Sequence, residues 1–256
     1  STIHICCGRV AGIGGQRDLQ MYVDNALMAI NLLTCLAEYQ KQGKTVYYSS
    51  SCVYPASMNN FREEDMFRAP FEKSNEGYAL GKASGQKLCE YINASLGRIQ
   101  FITVVPPNLY GDNDNWNIET CHVLPAITQK IRAAQLSGKT ELELWGVPDT
   151  SREFLRSTDV ALATRIYTEQ DITVSAVNTG MGTDISIQEL VTGICARLNY
   201  TPHIRWSGHN TGKTQKLLNV DLQTALGFTP KYNYEDMLDY IVAELLRRET
   251  TLNEGE

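Results

Sequence analysis

Short apolar segments alternate with long amphipathic stretches, and this alternation constrains the fold more than any other feature of the chain. Residues 3–7 (Ile-His-Ile-Cys-Cys) predict a short buried strand, with a glycine-rich turn over 8–15. Leu19, Val23, Leu27, Ile30, Leu33 and Leu36 then recur at helical spacing, which predicts a helix over 19–40. A second strand is expected at 45–49 and a polar, irregular loop at 56–75. A helix follows at 77–95, with Leu80, Leu88, Tyr91 and Ile92 on its buried side and Gly97 as its stop. A third strand, 99–105, closes on Pro106-Pro107. Strands alternating with helices form a parallel sheet covered by helices, so the class is α/β.

Beyond Pro107 the pattern changes. Residues 108–121, rich in Asn, Asp and Gly, suit a loop; 122–136 suit a helix, 141–145 a short strand and 158–168 a helix. A strand is expected at 175–179. A helix over 186–198 is opened by a capping box of Ser186 and Glu189, and an amphipathic helix covers 234–249. The expected organisation is a sheet domain over 1–107 with a return strand near 175–179. Residues 108–174 and 180–256 then form mainly a smaller lobe.

The 256 residues are 43% hydrophobic and 20% charged, which suits a chain with a substantial core. A net charge of −6 argues against a dedicated nucleic-acid binder, which needs a basic face. No run of 18 apolar residues occurs, so no membrane crossing is expected. The first residues lack a basic segment followed by a long apolar one, so no signal peptide is expected. Seven cysteines (6, 7, 35, 52, 89, 121 and 195) are odd in number, irregular in spacing and without a CxxC pair, which excludes a zinc ribbon. Cys35, Cys89 and Cys195 lie in apolar segments and are expected to pack as small hydrophobes. This usage reads as a reducing, cytoplasmic compartment, and no metal is expected.

The chemistry concentrates in Ser49-Ser50-Ser51-Cys52 at a strand end and Tyr78-Ala-Leu-Gly-Lys82 at a helix start. Ligands of open parallel sheets bind beyond the carboxyl ends of the strands, where Ser50 is placed. Tyr78 and Lys82, four apart, share a helix face, and a neighbouring cation is expected to lower the phenol pKa. A serine hydroxyl can hold a carbonyl oxygen while the tyrosine gives it a proton and a hydride reaches its carbon. A Tyr-x-x-x-Lys alone is common on helices. Its frame is what matters here: serines 28 residues upstream, and a following strand that ends in Val-Val-Pro-Pro-Asn-Leu-Tyr-Gly.

In that frame the chain resembles an extended short-chain dehydrogenase/reductase, and within that group the GDP-L-fucose synthase family of GDP-4-keto-6-deoxymannose epimerase-reductases. The matching stretches are SSSCVYP (49–55), NEGYALGKASGQKLCE (75–90), PPNLYGDNDNW (106–116), CHVLPAI (121–127), WGVPDTSREFL (145–155) and KLLNVD (216–221). The resemblance implies a Rossmann-like doubly wound parallel sheet with a smaller α/β substrate lobe, and NADP(H) as cofactor. It implies Ser50, Tyr78 and Lys82 as the reductive set. Cys52 and His122 are implied as the acid and base that invert sugar carbons beside a keto group. Gly12, Ile13, Ser49, Tyr78, Lys82, Pro106, Asn108, Leu109 and His122 are the implied cofactor contacts. Asn108, Lys130, Trp145, Arg152 and Lys216 are the candidates for the GDP-sugar. A homodimer through helices 19–40 and 77–95 is implied as well; both carry more apolar positions than one sheet face needs.

The sequence departs from that pattern at its start. Gly8-x-x-x-Gly12-x-Gly14 looks like a phosphate loop, yet one helix separates it from the strand that leads to Ser50, where the family has several βα units. No acidic residue ends a second strand about 20 residues on. Val10-Ala11-Gly12-Ile13 and Asn25 fit the family's fourth strand and its loop better, so the GxxGxxG part is expected to be lacking. Lys130 stands where the family has an arginine, and Leu155-Arg156-Ser157-Thr158-Asp159 replaces its Leu-His-Val-Asp-Asp. Two other functions remain open at this point. One is a GDP-sugar relative that inverts a single centre. The other is a non-catalytic, reductase-like scaffold or binding subunit.

Overall fold

The computed structural model describes residues 1–10, 19–40, 42–208 and 215–253. The candidates Gly12 and Ile13 lie outside the described residues.

Four parallel strands form the main sheet: β1 (Thr2–Ile5), β2 (Lys44–Tyr48), β3 (Phe101–Val105) and β8 (Ala176–Asn178), in the spatial order β1-β2-β3-β8. Their register is set by pairs such as Val46 opposite Ile102 and Val104 opposite Val177. β3 is buried along its whole length, as a strand covered on both faces must be. β1 is shorter than expected and ends at Ile5, its one buried residue; Cys6 and Cys7 lie beyond it and are exposed. As an edge strand it is covered less than a central one.

Helices α1 (Leu19–Tyr39) and α2 (Glu76–Leu96) pack together on one face of this sheet. Their axes approach closely because Gly81 faces Asn25: a Cβ on Gly81 would lie 2.7 Å from the Asn25 Cβ. α2 stops where Gly97 adopts φ 64°, a left-handed conformation suited to glycine. Asn93 ties the end of α2 to β3, donating to Phe101 O at 2.7 Å and accepting from the Gln100 and Phe101 amides at 2.9 Å. The inward face of α1 is Met21, Asn25, Ala26, Ala29 and Leu33. Leu19, Leu27 and Ile30, read as inward, are exposed, as are Leu80 and Tyr91 on α2 and Cys35 on α1. By length and composition alone α1 is long and apolar enough to cross a membrane, although the sequence holds no run of 18 apolar residues.

The other face carries α4 (Ser157–Glu169) and α6 (Asp221–Ala225), where Val160, Ala163, Tyr167 and Phe228 pack on Val46, Ile102, Val104 and Val177. α4 therefore sits on the sheet although its residues fall within the expected second lobe. That lobe is built from α3 (Val123–Leu136), α5 (Ile187–Arg197) and α7 (Tyr234–Asn253). The parallel pair β5 (Glu141–Leu144) and β10 (His203–Trp206) joins them around Ile131, Leu142, Leu190, Ile194 and Met237. The Ser186–Glu189 capping box opens α5 as expected. Short pairs stitch the lobes together: β4 (Asn108–Tyr110) with β7 (Phe154–Arg156), and β6 (Ser151–Arg152) with β9 (Ile185–Ser186). β4 lies inside a stretch expected to be loop.

Candidate active site

The β2 strand ends at Tyr48, and the chain turns through Ser49 and Ser50 into a 3₁₀ turn, Ser51–Val53. This turn sits at the carboxyl end of the sheet because Ser49 N bonds Val104 O at 2.8 Å and Ser51 N bonds Pro106 O at 2.9 Å. Ser50 caps the turn, its Oγ accepting from the Cys52 amide at 3.2 Å. The Tyr78 phenol from α2 lies beside the same hydroxyl, which eases the effect of burial on it. Beneath lie Val53, Tyr54, Phe61, Ala79, Ala83 and Val105, so the turn rests on a packed base. Ser50, Cys52 and Tyr78 are thus assembled in one cluster.

Burial pushes the Tyr78 hydroxyl up, with Cys52 adding to the effect and Ser50 opposing it. This corrects the expected lowering by Lys82. The Lys82 ammonium instead donates to Tyr48 O at 3.0 Å and lies 5.4 Å from the centre of the Tyr47 ring. Burial lowers its own pKa, against Cys7 and Cys6, which raise it. Tyr78 is therefore held in its protonated form, ready to give a proton rather than to take one.

A second cluster borders the first. Lys216 Nζ pairs with Glu72 Oε2 at 2.8 Å, both side chains 16% exposed, and Ser74 donates to Glu72 Oε1 at 2.6 Å. Burial pushes the Glu72 carboxyl up, but Lys216, Ser74 and Arg152 bring it below the usual range. Arg152 Nη1 bonds Ser151 O at 2.6 Å, and its charge acts on both Glu72 and Cys52. Lys216 is placed by the bridge between Phe61 and Leu218, where Phe61 N donates to Leu217 O at 2.9 Å. Glu153 fastens the same region from below. It is fully buried, and its oxygens accept from the amides of Gly182 and Leu218, each at 2.9 Å. Burial pushes its carboxyl up to about 7 despite those bonds.

The remaining candidates are more dispersed. Asn108 joins β4 to β7, its Nδ2 donating to Glu153 O at 2.9 Å, and Leu109 next to it is 38% exposed. Pro106 is buried and holds Ser51. His122 stands at the N-terminus of α3 without capping it. Lys130 is exposed on α3 and lines a groove with Trp116, Leu136, Leu245 and Arg248. Trp145 is 56% exposed at the end of β5. No hydrogen bond or ion pair among the described residues joins His122, Lys130 or Trp145 to the Ser50 cluster. Asn75, Glu72 and Glu153 were missed in the sequence. The first two lie in an irregular stretch with no periodicity to mark them, and Glu153 sits between two short strands.

The family model "NAD dependent epimerase/dehydratase family" matches residues 3–180. The chain belongs to this family. Among curated members of this epimerase/dehydratase family it is 35% identical to the GDP-L-fucose synthase of Azorhizobium caulinodans, over 85% of this chain and 70% of that one. It is also 35% identical to the GDP-L-colitose synthase of Yersinia pseudotuberculosis, over 89% of this chain and 75% of that one. The solved GDP-L-fucose synthetase of Naegleria fowleri shares the fold with a TM-score of 0.80 at 25% identity, covering 98% of this chain and 78% of that one. Its NADP-bound form gives a TM-score of 0.82.

A nicotinamide dinucleotide is the family's cofactor, and the residues at this strand end fit its ribose. Lys82 has Tyr48 O as its one hydrogen-bond acceptor among the described residues, which leaves ammonium donors for ribose hydroxyls. The Ser49 Oγ is buried at the same strand end, without a hydrogen-bond partner among the described residues. A Cβ on Gly8 would lie 3.0 Å from Lys82 Nζ, so the glycine keeps the approach to the ammonium narrow but clear.

Proposed function

We propose that the protein epimerises and reduces a GDP-4-keto-6-deoxyhexose with NADPH, yielding GDP-L-fucose or a close relative. The observation that carries this reading is the placement of Ser50, Cys52 and Tyr78 in one cluster at the carboxyl end of the sheet, with the Ser50 hydroxyl accepting from the Cys52 amide. The curated relatives named for GDP-L-fucose and GDP-L-colitose synthesis support the substrate class.

The 4-keto group acidifies the protons on the neighbouring carbons, 3 and 5. Cys52 takes such a proton on one face, the electron pair moves to the carbonyl oxygen, and His122 returns a proton on the other face. Bound NADPH supplies the hydride for carbon 4. Tyr78, held protonated, gives the oxygen its proton while Ser50 holds that oxygen. Lys82 orients the cofactor ribose. Arg152 and Lys216 take the diphosphate, which then competes with Glu72 for Lys216. Lys130 and Trp145 are assigned to the nucleoside end, with Asn108 between sugar and cofactor. Gly12, Ile13, Pro106, Leu109 and Ser49 are assigned to the cofactor side.

Incubating the full-length protein with GDP-4-keto-6-deoxymannose and NADPH in deuterated water tests this. Deuterium at carbons 3 and 5 of the product, with NADPH consumed in equal amount, is the expected result. Deuterium at one carbon alone would assign a single-centre enzyme. Neither deuterium nor NADPH consumption would assign a non-catalytic binding subunit.

A further inference from the structure

Asn75 immediately precedes α2, a position where an asparagine side chain ordinarily caps the first turn. Here it makes no capping bond. Its Nδ2 instead donates to the Cys52 sulfur at 3.1 Å, 23 residues away in sequence. The residue is 5% exposed, and its Oδ1 has no hydrogen-bond partner among the described residues. Its backbone is fixed on both sides: the amide donates to Glu72 O at 3.1 Å and the carbonyl accepts from Ala79 N at 2.9 Å. Buried polar atoms are almost always paired. An amide that forgoes its cap, leaves its oxygen idle and directs its nitrogen at a thiol is placed for that thiol.

We propose that Asn75 is a positioning residue for Cys52, fixing the sulfur in the cleft and favouring the thiolate that takes the sugar proton. The proposal rests on the epimerase reading above. A hydrogen bond from N–H to an ionised acceptor is roughly twice as strong as to a neutral one, so the contact favours the charged sulfur. The other groups that face Cys52 are Tyr78 from α2, an uncharged phenol, and Arg152 from β6, a cation. Arg152 is itself partly offset by Glu72, which Lys216 pairs. In the step served, the thiolate takes the proton from carbon 3 or 5 and becomes a thiol. The C–H electron pair passes to the carbonyl oxygen as an enolate, and nothing is oxidised.

Alkylation of Cys52 by iodoacetamide, followed peptide by peptide in a mass spectrometer across a range of pH, tests the proposal without substrate, cofactor or turnover. Two variants are compared with the parent. Asn75→Asp keeps the side-chain shape and is as good a helix cap, but puts a carboxylate where the donor stood. Asn75→Leu removes the polar group. At near-neutral pH Cys52 alkylation should fall about tenfold in Asn75→Asp, and in the same direction in Asn75→Leu. The rates should converge with the parent's in alkaline solution, where the thiol is ionised in all three. Cys6 and Cys7, alkylated in the same sample, should keep their rates. An unchanged Cys52 rate in the folded Asn75→Asp protein would overturn the proposal, and so would a fall that persists equally at alkaline pH, since that reports access rather than ionisation. Slower alkylation as expected, in a protein that exchanges no sugar protons, would uphold the coupling and overturn the epimerase reading.

Discussion

Two cations with one carboxylate between them mark the place for a dianionic ligand. Lys216 is paired with Glu72, while Arg152 is hydrogen-bonded to a single backbone carbonyl among the described side-chain contacts. A diphosphate bound there would form charge-assisted bonds with both. Arg152→Met should therefore raise the KM for the GDP-sugar by one to two orders of magnitude, at about 1.5–3 kcal/mol for each lost bond to a charged group, with a smaller effect on kcat. Steady-state kinetics at saturating NADPH measures this. Equal KM values for parent and variant would place the diphosphate elsewhere. At this scale the sequence named Ser50, Cys52, Tyr78, Lys82, Arg152 and Lys216, because their spacing on a strand end, a helix face and family stretches is local. It could not show that Lys82 turns to the Tyr48 carbonyl, or that Glu72 meets Lys216 across 144 residues, since those contacts exist only once the lobes pack.

Among the elements, α2 carries the site, and its seating depends on close contacts. A Cβ on Gly85 would run into the ring of Tyr47, an aromatic side chain 2% exposed in β2 that has nowhere to move. Gly85→Ala should therefore destabilise the protein by about 1–3 kcal/mol, although alanine is the better helix former. Thermal unfolding measures it, and a rise in Tm would contradict the packing. Glu153 makes a second test. Burial raises its carboxyl to about 7 in the folded chain. The folded state then holds a proton that the unfolded state releases near pH 4.5, so this group's contribution to stability is full below that value and is lost as pH rises to about 7. Glu153→Gln should be less stable at low pH, because an amide group meets the Gly182 or Leu218 N–H, and should show a flatter Tm-versus-pH curve over that window. Parallel curves for the two proteins would contradict the assignment.

The same helices show what periodicity can and cannot reveal. α1, α2, β2 and β3 lie within about two residues of where the sequence puts them, because long periodic segments signal their own type. The inward face of α1 differs from the expected one because the helix is apolar on more than one side. Leu19, Leu27 and Ile30 form one stripe, and Met21, Ala26, Ala29 and Leu33 another. Nothing local distinguishes a stripe that meets the sheet from one that does not. β4, β6, β7 and β9, of two or three residues each, are too short for any alternation to register.

On the scale of the whole molecule, several large apolar side chains outside the core fall on two helices. Leu19, Leu27, Ile30, Leu32 and Tyr39 on α1, with Leu80 and Tyr91 on α2, are exposed on two helices packed side by side. Exposed apolar side chains on two paired helices suit a two-fold contact between copies, and we propose a homodimer through α1 and α2. Sedimentation equilibrium at micromolar concentration should give twice the chain mass, and Ile30→Glu with Leu27→Glu should halve it. A parent sedimenting at the mass of one chain would contradict the dimer.

The division of labour within the cleft is the central claim, and the isotopic assay on two single variants tests it most directly. Tyr78→Phe should lose NADPH oxidation by about 10²–10⁴-fold while deuterium still enters the sugar beside the keto group, because the proton donor for the oxygen is gone and Cys52 is not. Cys52→Ser should do the reverse, losing deuterium uptake while a slow oxidation of NADPH by the uninverted ketone persists. If both variants lose both signals together, or if Cys52→Ser leaves deuterium uptake intact, the two steps do not belong to these two residues and the account is wrong.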